Sequence, residues 1–557
     1  MHADESSPLP RWNLIAAVAL LILHAILAWQ ARAFGITTGN DDATFILLSR
    51  SLREFGYNDI HLVGAPLHPR TPPGFPAMLA FLALPFGERF DVFLAGVLAT
   101  SVASLALLYD TVRRTSGPNA GLVALALAAA NPSIVNYAGE IMSEAPYVLL
   151  TMLTAWALVR ERHDRGFPAR QRWWVALAIG AACAASLTRT IGATMVLALF
   201  LAWVLERRYR PLIALGLAGA VTVGGWILWT VLAPVKIVGR SYVADAAFVR
   251  GDGHSTISLL VERLRNIPGY IAEDVPFMLP LPTIEGTFVD NAVGLLFVLV
   301  LASAGAVALW KRGTGRIALL YLLVYAGLLA VWPWRIPRFV VPLLPFIFWT
   351  LAAGAFMLAG RRRWMRPLPI VLVLIVAGAA LPRTMALVRA ARACDRDAAA
   401  TSATCYAPAQ RSFFALAAYA RSSTPDTAVF VTEKEGTFGY LSRRRVMLHG
   451  NFGRDEKEGA VLLGRLRDAS ADYLIVTPLV VDYVQNLVAL SDMCDRLAVA
   501  RAFGAATYLL RIVSPAEPPP RANACDVLRR WDTERRGFDQ LLLSQRIRHH
   551  TVGINAS

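Results

Sequence analysis

Through its first 390 or so residues the chain alternates long apolar runs with short polar breaks. Val18–Trp29, Val92–Leu108, Leu212–Leu232, Gly294–Trp310 and Val371–Ala380 lie in such runs. A helix needs about 20 apolar residues to cross the bilayer core, and these stretches supply them. Two stretches break the rhythm. Residues 74–87 hold Pro76 and Pro85 around too few apolar positions to span, which predicts a helix lying on the outer surface. Residues 173–205 would form about 50 Å of helix against a core of about 30 Å, so two short spans turning near Arg189 are predicted. The pattern gives about eleven spans: 13–33, 91–109, 118–136, 146–160, 173–188, 191–205, 212–234, 291–310, 317–332, 338–359 and 367–388.

Past residue 390 the period changes. Ala428–Val431 and Tyr473–Val476 read as short strands, with helical stretches at Phe413–Arg421 and Glu458–Arg467 and a terminal helix at Val527–Gln545. Strands alternating with helices predict a small α/β domain. The organisation is therefore a membrane domain over 1–390, with a first outer loop at about 34–90 and a large outer loop at about 235–290. A domain over 391–557 with a basic tail follows.

Composition agrees with the pattern. Of 557 residues 56% are hydrophobic and only 17% charged, against about a quarter in soluble domains. The fold class is a polytopic α-helical membrane protein. A net charge of +16 would suit a nucleic-acid binder. Here, however, the arginines crowd short loops at Arg113–Arg114, Arg160–Arg172, Arg207–Arg210, Lys311–Arg316 and Arg361–Arg366. That is the positive-inside pattern, and no nucleic-acid partner is expected. It places the N-terminus in the cytoplasm, without a cleaved signal peptide, and an odd span count leaves the C-terminal domain outside. A bacterial plasma membrane with a periplasmic tail fits. Cys394, Cys405, Cys494 and Cys525 all fall in that tail, while Cys183 lies in a span. Two disulfides are expected in an oxidising compartment, with Cys394–Cys405 and Cys494–Cys525 the favoured pairing. Zinc is disfavoured, there being no C-x-x-C.

Candidate chemistry collects on the outer side. Asp41 and Asp42 open a helix whose apolar face, Phe45, Leu48, Leu52 and Phe55, suits the membrane surface. Asn40 or Asp41 as a helix cap accounts for one of these side chains and leaves the next carboxylate unexplained. His68 and Arg70 follow in H-P-R-T-P-P-G. Glu140 and Glu144 stand four apart in G-E-I-M-S-E-A-P-Y, and a carboxylate at the membrane boundary is a functional candidate by default. Arg189, Arg335 and Arg338 lie on the side that positive-inside statistics disfavour, so a phosphate at headgroup level is one reason for them. Membrane-lipid headgroups are the alternative partner. His254, in the large outer loop, is a secondary candidate with His68 and Glu140. No P-loop, dinucleotide fingerprint or H-E-x-x-H occurs.

The acidic pair, the H-P-x-x-P-P-G-like segment, S-E-x-P, R-x-x-G and R-x-P-R-F-x-x-P-x-x-P, in this order and on this side, resemble the membrane GT-C glycosyltransferases. The nearest branch in appearance holds protein O-mannosyltransferases and lipid A aminoarabinose transferases. The likeness covers roughly residues 10–390. It implies inverting transfer of a sugar from a polyprenyl-phosphate donor to a lipid, glycan or protein acceptor. By position Asp41 resembles the first-loop acid, Asp42 the second of the pair and Glu144 the second-loop acid. Arg70 and Arg338 would hold the lipid phosphate. Two or three carboxylates can bind Mg²⁺ or Mn²⁺, but relatives with monophosphate donors imply no metal. A transporter or flippase for a lipid-linked glycan is the competing reading. It calls for charges along a transmembrane path, and the spans hold few.

Overall fold

The computed structural model describes residues 11–164, 166–233, 264, 266–279, 288–332, 335–394, 405–452, 457–479, 487–514 and 516–531. His254, with Lys236, Arg240 and Asp252 of the large outer loop, lies outside these residues, as does the expected terminal helix beyond Trp531. The chain packs as two units. One comprises Met1–Arg32, Thr71–Leu232 and Ala246–Val388, the other Ala33–Arg70, Ala233–Asp245 and Arg389–Ser557. The first outer loop up to Arg70 thus groups with the tail, where the sequence placed it with the membrane helices.

The helices preceding the tail are α1 (Arg11–Ala31), α2 (Asp41–Arg53), α3 (Gly74–Phe86), α4 (Phe90–Ser116), α5 (Pro118–Ala129), α6 (Pro132–Ala138), α7 (Glu144–His163), α8 (Pro168–Thr188), α9 (Ala193–Leu205), α10 (Tyr209–Leu232), α11 (Phe288–Arg312), α12 (Arg316–Val331), α13 (Leu344–Ala359) and α14 (Leu368–Ala393). All but α2 and the end of α14 lie in the first unit. Among the described residues six helices are long and apolar enough to cross a membrane, or seven if the bent pair α5–α6 is one span. The expected span 118–136 is that pair, broken by 68°. Asn131-Pro132 explains the break: the proline disfavours helix in the residue before it, and the Asn131 side chain caps α6 through Ser133 N and Ile134 N. The expected turn near Arg189 separates α8 from α9.

Hydropathy and burial together point to lipid. Pro337–Ala359 and Tyr209–Leu232 are about equally apolar, yet 83% of the first and 17% of the second is buried. The first runs through the core, where Phe346, Phe348 and Trp349 are fully enclosed. The second exposes Leu217 and Val221, which only a lipid environment makes favourable. Short α3 likewise exposes Phe81, Leu84 and Phe86.

In the second unit the described tail forms a five-stranded sheet of order β2-β1-β3-β5-β4, with β1 (Val429–Thr432), β2 (Arg445–Leu448), β3 (Tyr473–Val476), β4 (Leu497–Ala502) and β5 (Tyr508–Ile512). β1 runs parallel to β2 and β3, while β5 runs antiparallel to β3 and β4. Helices α15 (Pro408–Ser423), α16 (Glu435–Ser442), α17 (Gly459–Asp468) and α18 (Leu487–Asp492) complete it. The disulfides are Cys394–Cys405 and Cys494–Cys525, the expected pairing, and Cys183 is free and buried. The first loop is stitched into this unit. Leu62 bridges Val446 of edge strand β2 in parallel, with Val63 N donating to Val446 O and Val446 N to His61 O. Helix α2 is not the expected surface helix: Asp42 to Ser49 are all buried and only Phe55, past its end, is fully exposed.

Gly74, the glycine of P-P-G, fixes the approach of α3 to α8. A Cβ there would stand 2.6 Å from Leu187 O, one residue before Thr188 at the end of α8. Gly180, inside α8, has open space where its Cβ would be. Gly74→Ala is expected to cost about 1–3 kcal/mol by overpacking. Gly180→Ala should be neutral or stabilising by up to about 1 kcal/mol. Thermal unfolding of the two variants in detergent checks the contrast.

Candidate active site

In the helical unit the break between α8 and α9 and the start of α7 bring two charges together. Gly192 N closes a turn on Arg189 O at 2.7 Å, which turns the arginine out of helical register. Its Nη1 lies 2.5 Å from Glu144 Oε1, with side-chain exposures of 13% and 1%. The same Nη1 donates to Ser143 Oγ at 3.0 Å. Beyond Arg189, the Glu144 carboxylate oxygens accept no hydrogen bond among the described residues. A buried carboxylate with unfilled lone pairs is rare in a finished structure and calls for an incoming donor. Glu144 also lines a cavity of about 20 Å³ with Ser101, Ser104, Tyr137 and Pro345, room for one water-sized group.

Further charges surround the pair. Arg338 lies close enough to Arg189 to repel it. Glu140, Glu144, Arg189 and Arg338 all act on the Tyr137 phenol. Glu140 accepts from Asn136 Nδ2 at 2.9 Å. Two guanidinium groups close enough to repel suit an anion that both can bind. Arg335, expected with them, is instead committed to Asp274 at 2.7 Å and Glu273 at 2.5 Å.

In the loop unit Asp42 is 4% exposed. Its Oδ2 accepts from Thr37 N at 2.6 Å and its Oδ1 from Ala43 N at 2.8 Å. Burial raises its pKa to about 6; the two backbone bonds pull the other way and the neighbouring Asp41 charge adds to the rise. Asp41 is only half-buried at the head of α2. The expected cap differs too: Asn40 holds the N-cap position, but its side chain makes no cap bond. His68 is buried with Nδ1 2.9 Å from Asp59 Oδ1, and Arg70 is half-buried two residues on.

Sequence reasoning missed the buried tyrosines near the Arg189 charge and the Asp59 partner of His68. Tyr147 and Tyr321 share a hydrogen bond of 2.9 Å, and Tyr325 OH donates to Phe339 O, next to Arg338, at 2.9 Å. Tyrosines four apart in an apolar span, as at 321 and 325, were the available signal. Asp59 had none. Among the described residues no group of three or more His, Cys, Asp or Glu gathers that could hold a metal ion.

The family described as dolichyl-phosphate-mannose-protein mannosyltransferase matches residues 70–235, which include Glu144 and Arg189. No curated protein matches the sequence. The fold is similar to that of ArnT from Cupriavidus metallidurans. Its structure bound to undecaprenyl phosphate superposes with a TM-score of 0.56 at 15% identity, covering 92% of this chain and 100% of that one. The oligosaccharyltransferase from Archaeoglobus fulgidus, tethered with an acceptor peptide, superposes with a TM-score of 0.55 at 12% identity over 92% of this chain and 75% of that one. The likeness to O-mannosyltransferases read from the motifs thus reappears in a family match, and the fold is shared with ArnT.

Arg189→Gln strands a buried carboxylate and is expected to destabilise by about 3–5 kcal/mol. The double variant Glu144→Gln/Arg189→Gln should melt above that single variant, because the stranded charge is gone. Thermal unfolding in detergent reads the coupling; strictly additive losses would mean the pair is not formed.

Proposed function

We propose, from its likeness to GT-C membrane glycosyltransferases, that this chain moves a hexose or pentose from a polyprenyl-phosphate donor to an acceptor hydroxyl. The acceptor is a lipid, glycan or protein at the outer face of a bacterial plasma membrane. The observation that carries the reading is the Glu144–Arg189 pair, inside the segment the family matches and beside a second arginine. Eleven crossings with a cytoplasmic N-terminus leave the disulfide-bonded domain in the periplasm, where disulfides persist.

The acceptor oxygen attacks C1 from the side opposite the phosphate. The bond from C1 to the phosphate oxygen breaks, its electron pair leaving with polyprenyl phosphate, and C1 inverts. Asp41, the more open acid, takes the acceptor proton as general base. Asp42, with both oxygens on backbone amides, fixes the head of α2 and supplies negative charge beside that base. Arg189, Arg338 and Arg70 meet the charge that grows on the leaving phosphate, and Glu144 orients Arg189. Arg335 is left to its carboxylates. ArnT from Cupriavidus metallidurans has been observed with undecaprenyl phosphate bound, and the same class of lipid is the donor carrier assigned to this chain.

Removing a general base costs roughly 10²–10⁴-fold in rate, and Asp41→Asn should lose activity on that scale. In wild type kcat/KM should fall below about pH 6, because Asp42, ionised above its raised pKa, protonates there. That acid limb should be absent from Asp42→Asn. The assay is release of polyprenyl phosphate by purified protein, followed by mass spectrometry across pH. Full activity in Asp41→Asn would move the base elsewhere. An unchanged limb in Asp42→Asn would take Asp42 out of the titration.

A further inference from the structure

Asn40 precedes the acid pair and does something its position does not announce. Its φ of 78° is in the left-handed region, which asparagine enters more readily than most residues. Its side chain leaves α2 uncapped and reaches the tail instead. Oδ1 accepts from Thr437 N at 2.9 Å, 397 residues away, and Nδ2 donates to Glu435 Oε1 at 2.9 Å. Thr437 is in the first turn of α16, where amides have no partner within the helix. Asn40 therefore caps a distant helix rather than its own.

The same contact holds both flanks of the acids. The Asn40 carbonyl accepts from Thr44 N at 3.1 Å and Thr44 Oγ1 at 2.8 Å. Thr437 Oγ1 donates to Thr37 O at 3.0 Å, and Thr37 N is the donor that holds Asp42. Gln410 Nε2 and Tyr406 OH secure Thr38 Oγ1 and Ile36 O. Gly436 permits the approach: a Cβ there would stand 2.4 Å from Thr44 Oγ1 and 2.9 Å from Asn40 Oδ1. Glu435 and Thr437 are both buried.

The location in the sheet adds meaning. Chain leaving β1 passes through α16 to β2 on one side, while β3 pairs on the other. Open α/β sheets receive ligands at such a switch point, at the start of the following helix. Here the start of α16 receives Asn40 of the same chain.

We propose that Asn40 is a positioning residue for the acid pair. It is clamped between Glu435 and Thr437, so that the α/β domain sets the backbone carrying Asp41 and Asp42. The catalytic consequence rests on the transferase reading; the clamp itself does not. Asn40→Gly keeps the left-handed backbone without strain and removes only the side chain.

Full-length protein in detergent is compared by amide hydrogen exchange and by turnover. In Asn40→Gly, exchange at residues 43–46 should rise at least about tenfold while β1 stays protected. This is local opening without global unfolding. Donor turnover should fall roughly ten- to a hundredfold in kcat, with KM for the lipid donor nearly unchanged, as for misplaced reacting groups. Asn40→Asp, which sets two carboxylates face to face, should be similarly impaired and rescued by Glu435→Gln. Unchanged exchange in Asn40→Gly would overturn the clamp, whether or not the protein transfers sugar. Faster exchange with wild-type kcat, or no rescue of Asn40→Asp, would overturn the positioning role. A wild type that turns over no donor would sink the transferase reading, while exchange would still decide the clamp.

Discussion

A carboxylate taken out of water must be paired, hydrogen-bonded or neutralised, and that constraint shapes both units. In the helical unit Asp274 and Glu161 meet it with Arg335 and Arg208, and Glu144 meets it with Arg189. The cost of the pair is tolerable because the arginine keeps further donors for other partners. In the loop unit Asp42 meets it with two backbone amides and a raised pKa. Each solution leaves chemistry available. A pair held by one ion contact can share its arginine with a phosphate, and a carboxyl titrating near 6 makes the charge at the head of α2 dependent on pH. Breaking either arrangement is a stability problem before it is a catalytic one, which fits strain held at functional sites.

The units answer this constraint with different materials. Apolar helices wrap the first around a core of Phe346, Phe348 and Trp349, and the charges appear where helices break, at the Arg189 turn and at the Ser143–Glu144 start of α7. In the second, a loop of some forty residues makes no core of its own, as its size leads one to expect. It borrows one: an edge pairing at Leu62–Val446, a cap at Thr437, and a disulfide-bonded sheet to lean on. Disulfides closing 11 and 31 residues of chain limit the unfolded state of the scaffold the acids depend on.

Much of this was legible from the chain. Apolar runs located the helices, prolines explained the short α3, and the confinement of four cysteines to the tail pointed to two disulfides while leaving three connectivities open. β1 and β3 read as strands because Ala428–Val431 and Tyr473–Val476 are dense in β-branched and aromatic residues. β2 opens on the last of three successive arginines, Arg443 to Arg445, and β4, Leu-Ala-Val-Ala-Arg-Ala, has helical composition, so pairing rather than propensity makes them strands. Asp274 as the partner of Arg335 and Arg189 as the partner of Glu144 were hidden because sequence shows charges but not their pairing. Asn40 or Asp41 was expected to cap α2, but the Asn40 side chain bonds the first turn of a helix almost four hundred residues on. Local pattern identifies the kind of bond and not its recipient.

The central claim is group transfer with inversion at C1, and the product itself tests it most directly. Purified protein in liposomes, given a polyprenyl-phosphate sugar of known anomeric configuration and an acceptor, would be followed by NMR of the product sugar and mass spectrometry of the lipid. The account predicts free polyprenyl phosphate and a glycoside of the opposite configuration. Retained configuration, or donor lipid that crosses the bilayer with its sugar still attached, would contradict it.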